Sequence, residues 1–169
     1  TQAKGSAGEN KGCAQEMTKP VLEERYVGNP LVLKYLRPCN VPTKTCSGCG
    51  IGIVENFVIN AMDELDLDID NTVWVQGVGC SSRQVFSTYK GDNIDALHGR
   101  AVPIATGMKL VKPHLDFIIF SGDGDCVAIG LNHFIQACRR NIDLTVLMIN
   151  NLNYASTSGQ YAPTTPMNY

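Results

Sequence analysis

From Thr45 onward the chain alternates between two hydrophobic rhythms. Val54, Phe57, Val58, Ala61, Met62 and Leu65 recur at helical spacing, with Asp63, Glu64 and Asp66 filling the gaps, which predicts an amphipathic helix. Thr72 to Gln76 (TVWVQ) is β-branched and aromatic and runs into Gly77 and Gly79, as a strand does where it ends. Ala101, Ile104, Ala105 and Met108 mark a second helix, stopped by Pro113. Phe117 to Phe120 is apolar without interruption, the pattern of a strand buried on both faces. Val127, Leu131, Phe134, Ile135 and Cys138 give a third helix, with Arg139 and Arg140 at its end, where the helix dipole favours cations. Leu144 to Ile149 repeats the buried-strand pattern. Strands alternate with helices, so the expected fold class is α/β: an open, mostly parallel sheet with helices on both faces.

Residues 1–34 show no such rhythm. They are polar and carry Gly5, Gly8 and Gly12, and read as an N-terminal arm, poorly ordered or draped over a partner. Leu22, Tyr26, Leu31, Val32 and Tyr35 are its apolar contact candidates. Residues 35–169 read as one domain. A doubly wound sheet usually continues past a strand and a Pro/Thr-rich loop such as residues 162–166, so the domain is expected to be incomplete at its C-terminal end.

Composition narrows the field. The 169 residues suffice for one domain with a core, and 44% are hydrophobic against 18% charged. A formal net charge of −2 makes no electrostatic case for nucleic acid or an anionic membrane. No apolar run approaches the ~20 residues of a bilayer-spanning helix. Thr1 to Pro20 has no signal-peptide core, and a cytoplasmic protein is the expectation.

Candidate chemistry gathers at the ends of the buried strands. Ser121-Gly122-Asp123-Gly124-Asp125 follows one strand and opens a helix. Ligands of open α/β sheets bind at that edge, and helix N-termini offer N–H groups to phosphate. Asp123 adds a carboxylate of the kind that holds Mg²⁺ against phosphate oxygens. After the next strand comes a second oxygen-rich turn, Asn150-Asn151-Leu152-Asn153-Tyr154. Adjacent strands set their terminal turns side by side, so Asp123 and the asparagines are expected to face one cation. A tight GDG turn next to a polar loop is the plainer alternative. Neither turn matches a Walker A or dinucleotide-binding pattern.

The seven cysteines are an odd number, a poor fit to a closed disulfide framework. Cys46-x-x-Cys49 opens the first helix and Cys80 sits in the turn after the first strand, positions from which thiolates can converge on a metal. Zinc is one candidate, with His98 the imidazole nearest in sequence. Cys126 and Cys138 sit among apolar helix residues and are expected to pack in the core.

GDG followed at this distance by Asn is the thiamine-diphosphate motif. The chain resembles the β subunit of 2-oxoacid:ferredoxin oxidoreductases, the 2-oxoglutarate type above all. The likeness is carried by CSGCGIG (46–52), GVGCSSR (77–83), LHGRAVPIATGMKL (97–110), GDGDCVAIGLNHFIQACRRNIDLTV (122–146) and NNLNYASTSGQYAPTTP (150–166). The resemblance implies that Asp123 and Asn151 ligate Mg²⁺ through side chains and Asn153 through its carbonyl. It also implies that Gly122, Gly124, Tyr154 and the turn of Thr157, Gly159 and Gln160 hold the cofactor. Cys46, Cys49 and Cys80 are then ligands of a [4Fe–4S] cluster, whose fourth ligand is not among the cysteines up to Cys138. Arg83 and His98 are its candidates for catalytic contacts to substrate or cofactor. Where the family has Thr-Gly-Gly-Gln, this chain has Ser158 as the second residue, a residue without glycine's access to positive φ.

The activity so implied is the coenzyme A-dependent oxidative decarboxylation of a 2-oxoacid, 2-oxoglutarate first and pyruvate next. Thiamine diphosphate attacks the keto carbon, CO₂ leaves, coenzyme A takes the acyl group, and electrons pass through the cluster to ferredoxin. No glutamate lies in a turn at the ligand edge, so an α subunit is expected to bring the one that activates the cofactor. Two rivals stand beside this reading: a thiamine-dependent decarboxylase or synthase without a cluster, and a zinc-bound, non-catalytic α/β module.

Overall fold

The computed structural model of the protein describes residues 30–37, 40, 45–82 and 88–168. The elements in chain order are α1 (Pro30–Tyr35), α2 (Gly50–Glu64), β1 (Thr72–Gln76), β2 (Asn93–Asp95), α3 (Ala101–Val111), β3 (Asp116–Gly122), a π-helical turn (Gly124–Ile129), α4 (Leu131–Arg139), β4 (Thr145–Ile149), and the short strands β5 (Asn153–Tyr154) and β6 (Gln160–Tyr161). The first four strands form one sheet in the order β2-β1-β3-β4, and every pairing in it is parallel. β5 and β6 pair antiparallel as a separate hairpin.

Side chains alternate across a strand, and β1 shows why this sheet needs cover on both sides. Trp74 packs with Tyr35, Ile59, Met62, Tyr89 and Phe120 on the α1/α2 face. Val73 and Val75 pack with Ala101, Ala105, Phe117, Ile119 and Cys126 on the α3 face. All five residues of β1 are buried, which accounts for its unbroken β-branched and aromatic run. Trp74 stacks on Tyr89 with ring centroids 3.9 Å apart and planes 6° apart. Burial pushes the Tyr89 hydroxyl's pKa up.

Several elements depart from the pattern in the sequence. β2 was not anticipated: its three residues are half-buried or exposed and carry no strand rhythm. In α2 the inward face is Ile51, Glu55, Ile59 and Met62, while Phe57 is 69% and Leu65 70% exposed. The helix has apolar residues on two flanks, and the inner one takes in Glu55, whose carboxylate accepts a hydrogen bond from the Thr88 hydroxyl. Tyr35 belongs to this domain's own core, with Leu31 and Val32 packed against it. Leu22 and Tyr26 lie outside the described residues. The third predicted helix opens as a π-turn, because the N–H of Gly130 reaches back to the carbonyl of Asp125 at 2.8 Å. Cys126 is buried in this turn, whereas Cys138 is exposed. No helix among the described residues is long and apolar enough to cross a membrane.

Candidate functional site

The pairing of β3 with β4 sets Gly122 opposite Ile149, so the turns that follow these strands lie side by side. One cleft takes in both. Its walls include Gly122, Asp123, Gly124 and Asp125 from the first turn, Asn151, Asn153, Tyr154 and Thr157 from the second, Gly79, Cys80 and Ser81 after β1, and His98.

Asp123 stands where a helix N-cap would stand, yet its side chain makes no capping bond. The carboxylate is 1% exposed and turned sideways, where the Thr164 hydroxyl donates to Oδ2. The end of the Asn151 amide lies 2.9 Å from Asp123 Oδ1 and 2.8 Å from the carbonyl oxygen of Asn153. With its nitrogen turned this way the amide donates to both. With its oxygen turned this way, three oxygens converge. Neighbouring oxygens around octahedral Mg²⁺, at metal–oxygen distances of about 2.0–2.1 Å, are about 2.9 Å apart. The donor set therefore fits that ion in chemistry and in spacing. The loop that delivers it folds locally: the Asn150 side chain accepts from Leu152 N at 3.2 Å, Leu152 takes a positive φ of 62°, and the Thr165 hydroxyl donates to the Leu152 carbonyl.

Gly124 is required by a close approach. A Cβ there would lie 2.3 Å from Tyr154 Cε1, so the tyrosine ring rests directly on the glycine backbone. The Tyr154 hydroxyl donates to the Gly124 carbonyl at 3.3 Å. Beyond Tyr154 the chain turns through Ala155–Thr157 into a hairpin. Ser158 adopts φ 88° and ψ 20°, so the serine follows the left-handed path despite its Cβ. Thr157 lines the cleft. Gly159 and Gln160, expected on the cofactor, are not among the residues of the cleft wall. Gln160 folds onto Thr157, its Nε2 donating to the Thr157 carbonyl at 2.5 Å.

A second buried carboxylate was not anticipated. Asp125 is 2% exposed. It accepts from Gly99 N at 2.6 Å and from the Ser121 hydroxyl at 2.5 Å. His98 Nδ1 lies 2.5 Å from its Oδ1, in contact but off the line of a hydrogen bond. The same carboxylate, after burial, helps raise the pKa of the Cys126 thiol to about 11. Thr164 is the other residue the sequence did not single out. Its signal was present only as a Pro/Thr-rich loop, with nothing local to tie it to Asp123.

The cysteines are arranged less tightly. Cys46 and Cys49 bracket a turn closed by Cys49 N donating to the Cys46 carbonyl at 3.0 Å, directly before α2. Cys80 lines the cleft, and Cys46 and Cys49 are not part of its wall. Among the described residues, no three Cys, His, Asp or Glu side chains converge at metal-ligand distance. Arg83 lies outside the described residues.

Comparison with known proteins bears on this site. The family model described as thiamine pyrophosphate enzyme, C-terminal TPP binding domain, matches residues 71–169. The chain is 49% identical over 134 residues to the 2-oxoglutarate synthase subunit KorB of Methanocaldococcus jannaschii, covering 79% of this chain and 49% of that protein. It is 52% identical over 132 residues to the protein of the same name from Archaeoglobus fulgidus, covering 78% and 49%. Among solved structures it matches a 2-oxoglutarate:ferredoxin oxidoreductase from Magnetococcus marinus with 2-oxoglutarate, coenzyme A and succinyl-CoA bound. The TM-score is 0.74 and the identity 37%, over 79% of this chain and 45% of that one. The chain thus spans about half the length of the curated relatives it matches.

Proposed function

Because the chain belongs to the thiamine pyrophosphate enzymes, whose C-terminal TPP binding domain it carries over residues 71–169, we propose that its cleft binds thiamine diphosphate through Mg²⁺. We propose further that the protein is the β subunit of a 2-oxoacid:ferredoxin oxidoreductase. The reaction would be oxidative decarboxylation of a 2-oxoacid, 2-oxoglutarate first and pyruvate next, with coenzyme A accepting the acyl group and ferredoxin the electrons. The observation that carries this reading is the convergence of Asp123 Oδ1, the Asn151 amide and the Asn153 carbonyl at 2.8–2.9 Å. Relatives named for this activity support the substrate class.

When bound, thiamine diphosphate supplies a carbon nucleophile and an electron sink that allow a 2-oxoacid to lose CO₂. The chain's own residues hold the cofactor at one end. Asp123, Asn151 and Asn153 would hold the cation, with Gly122, Gly124 and Thr157 against the diphosphate. Thr164, donating to Asp123 Oδ2, leaves Oδ1 for the cation. Tyr154, lying over Gly124, forms part of the cleft wall beside the cation site. Among the described residues no glutamate lines the cleft, which supports an α subunit as the source of the activating carboxylate. Arg83 is proposed to contact substrate. Cys46, Cys49 and Cys80 are proposed as ligands of a [4Fe–4S] cluster, on the strength of their spacing and the family likeness. With ferredoxin as acceptor and thiolates kept reduced, the proposed location is the cytoplasm.

A second reading, a thiamine-dependent enzyme without a cluster, is favoured by one observation: Cys46 and Cys49 are not gathered around Cys80 among the described residues. One preparation decides between them. The full-length protein is purified with its partner subunit without oxygen, and iron, zinc and acid-labile sulfide are counted. A dithionite-bleachable band, with dye reduction dependent on both 2-oxoglutarate and coenzyme A, is expected. A colourless preparation that binds thiamine diphosphate would favour the cluster-free enzyme. Failure to bind the cofactor, with Asp123→Ala no different from wild type, would remove both.

A further inference from the structure

Asp125 has no part in holding the cation, yet it is among the most enclosed charged groups of the molecule. A buried carboxylate is costly unless donors surround it. Here they come from Gly99 N and the Ser121 hydroxyl, with the His98 ring in contact beside them. Space has been cleared for it as well: a Cβ on Gly77 would fall 1.6 Å from Asp125 Oδ2, so only glycine fits at the end of β1. Three segments, after β1, before α3 and after β3, thus meet at one carboxylate.

The group with a free hand in this arrangement is His98. Its Nδ1 is buried against Asp125. Its ring meets Tyr154 edge-on, with centroids 6.2 Å apart and planes at 68°. The side chain as a whole is 36% exposed and lines the same cleft as Asp123 and Asn151. With Nδ1 against the Asp125 carboxylate and the ring beside Tyr154, Nε2 is the nitrogen left for the cleft.

We propose that Asp125 is a positioning residue that holds His98 with Nε2 presented to the cleft, where it donates a hydrogen bond to an anionic oxygen of the bound ligand. The proposal rests on the cofactor reading above. The anionic oxygen has two sources of the same chemistry: the diphosphate of the cofactor and the carboxylate of the 2-oxoacid.

The test uses the full-length protein with its partner subunit. Thiamine diphosphate is titrated calorimetrically in Mg²⁺, and the 2-oxoglutarate KM and kcat are measured at saturating cofactor. His98→Asn keeps an amide near the Nδ1 position and nothing at Nε2, whereas His98→Gln places its amide nitrogen near Nε2. His98→Asn should weaken binding about 10- to 100-fold, the span of a hydrogen bond to a charged group, and His98→Gln should restore most of it. Loss in the cofactor Kd assigns the diphosphate; loss confined to KM assigns the 2-oxoacid carboxylate. Asp125→Asn should reproduce the His98→Asn loss, and the double variant should be no worse than His98→Asn alone. A tolerated His98→Asn with a damaging His98→Gln, or losses that add in full, would overturn the proposal and leave Asp125 as a brace. The half-exposed His98 pair decides the matter even where Asp125→Asn does not fold. A wild-type protein that binds no thiamine diphosphate is a different result, which removes the cofactor reading itself.

Discussion

Gly124→Ala is the smallest change that tests how the cleft is built. The added Cβ would fall 2.3 Å from Tyr154 Cε1, 2.7 Å from Cδ1 and 2.8 Å from Cζ. Carbon atoms settle at about 3.5–4.0 Å, so the ring must retreat by about 1.2 Å or more. That retreat breaks the bond from the Tyr154 hydroxyl to the Gly124 carbonyl and moves a wall of the cleft that also borders His98. Overpacking of this kind costs about 1–3 kcal/mol. Urea unfolding of the variant should show that loss, and calorimetry should show weaker binding of thiamine diphosphate in Mg²⁺. The companion is Tyr154→Ala, which removes the opposing ring. On that background Gly124→Ala should cost almost nothing, a coupling that double-variant analysis reads directly. A Gly124→Ala protein with wild-type stability and affinity, or one whose loss persists without the ring, would refute the overlap as the cause.

Ser158 lies at φ 88°, so Ser158→Gly should stabilise the fold by about 1 kcal/mol, measured as a higher urea midpoint; a lower one would mean the hydroxyl contributes more than the backbone loses. Lys109 donates to the Leu115 carbonyl at 2.9 Å and pairs with Asp143 at 2.8 Å while its stem is buried. Lys109→Met keeps the stem and should cost about 1 kcal/mol by leaving that carbonyl unpaired, read as a lower midpoint. Burial lifts the Cys126 thiol from about 9 to about 11, so the folded state retains a proton that the unfolded chain gives up. The stability tied to this thiol is full below about pH 9 and is lost as pH rises towards 11. Unfolding midpoints across that window should fall less steeply in Cys126→Ala than in wild type, and native Cys126 should resist alkylation at pH 8.

What could be read from the sequence follows from how locally each feature is encoded. β1 and β3 were legible because parallel strands buried on both faces are written as unbroken apolar runs; β4 carries the same kind of run, yet it stands at the sheet edge with its residues half-buried or exposed, so the burial its pattern predicted is not found among the described residues. The meeting of Asp123 with the Asn turn was legible too, since consecutive strands of such a sheet tend to be neighbours, and here they are. β2 was not, because Asn93–Asp95 lies at the sheet edge, partly open to solvent, and needs no pattern. The inner face of α2 was misjudged because Glu55 is made acceptable inside by Thr88, a partner 33 residues away. The π-turn depends on the Asp125 carbonyl reaching the Gly130 N–H, a choice of bond that periodicity does not express. Thr164 and Asp125 escaped notice for the same reason: their partners, Asp123 at a separation of 41 residues and Gly99 at 26, are supplied by the fold alone.

The register of β3 against β4 has a consequence for how this protein is completed. Asp123 follows directly on β3 and Asn151 stands two residues after β4, in a pairing that sets Gly122 opposite Ile149. A slip of one position would carry Asn151 about 3.3 Å along the strand and turn its strand's side chains to the opposite face. The oxygen triad then ceases to exist. A cation and diphosphate, bound there as proposed, would act as a proofreader of strand alignment: they would recognise only the correctly paired sheet and deepen that one state as their concentration rises. Cofactor supply, on the proposed function, would act on the yield of correctly paired protein as well as on the turnover of what has already folded.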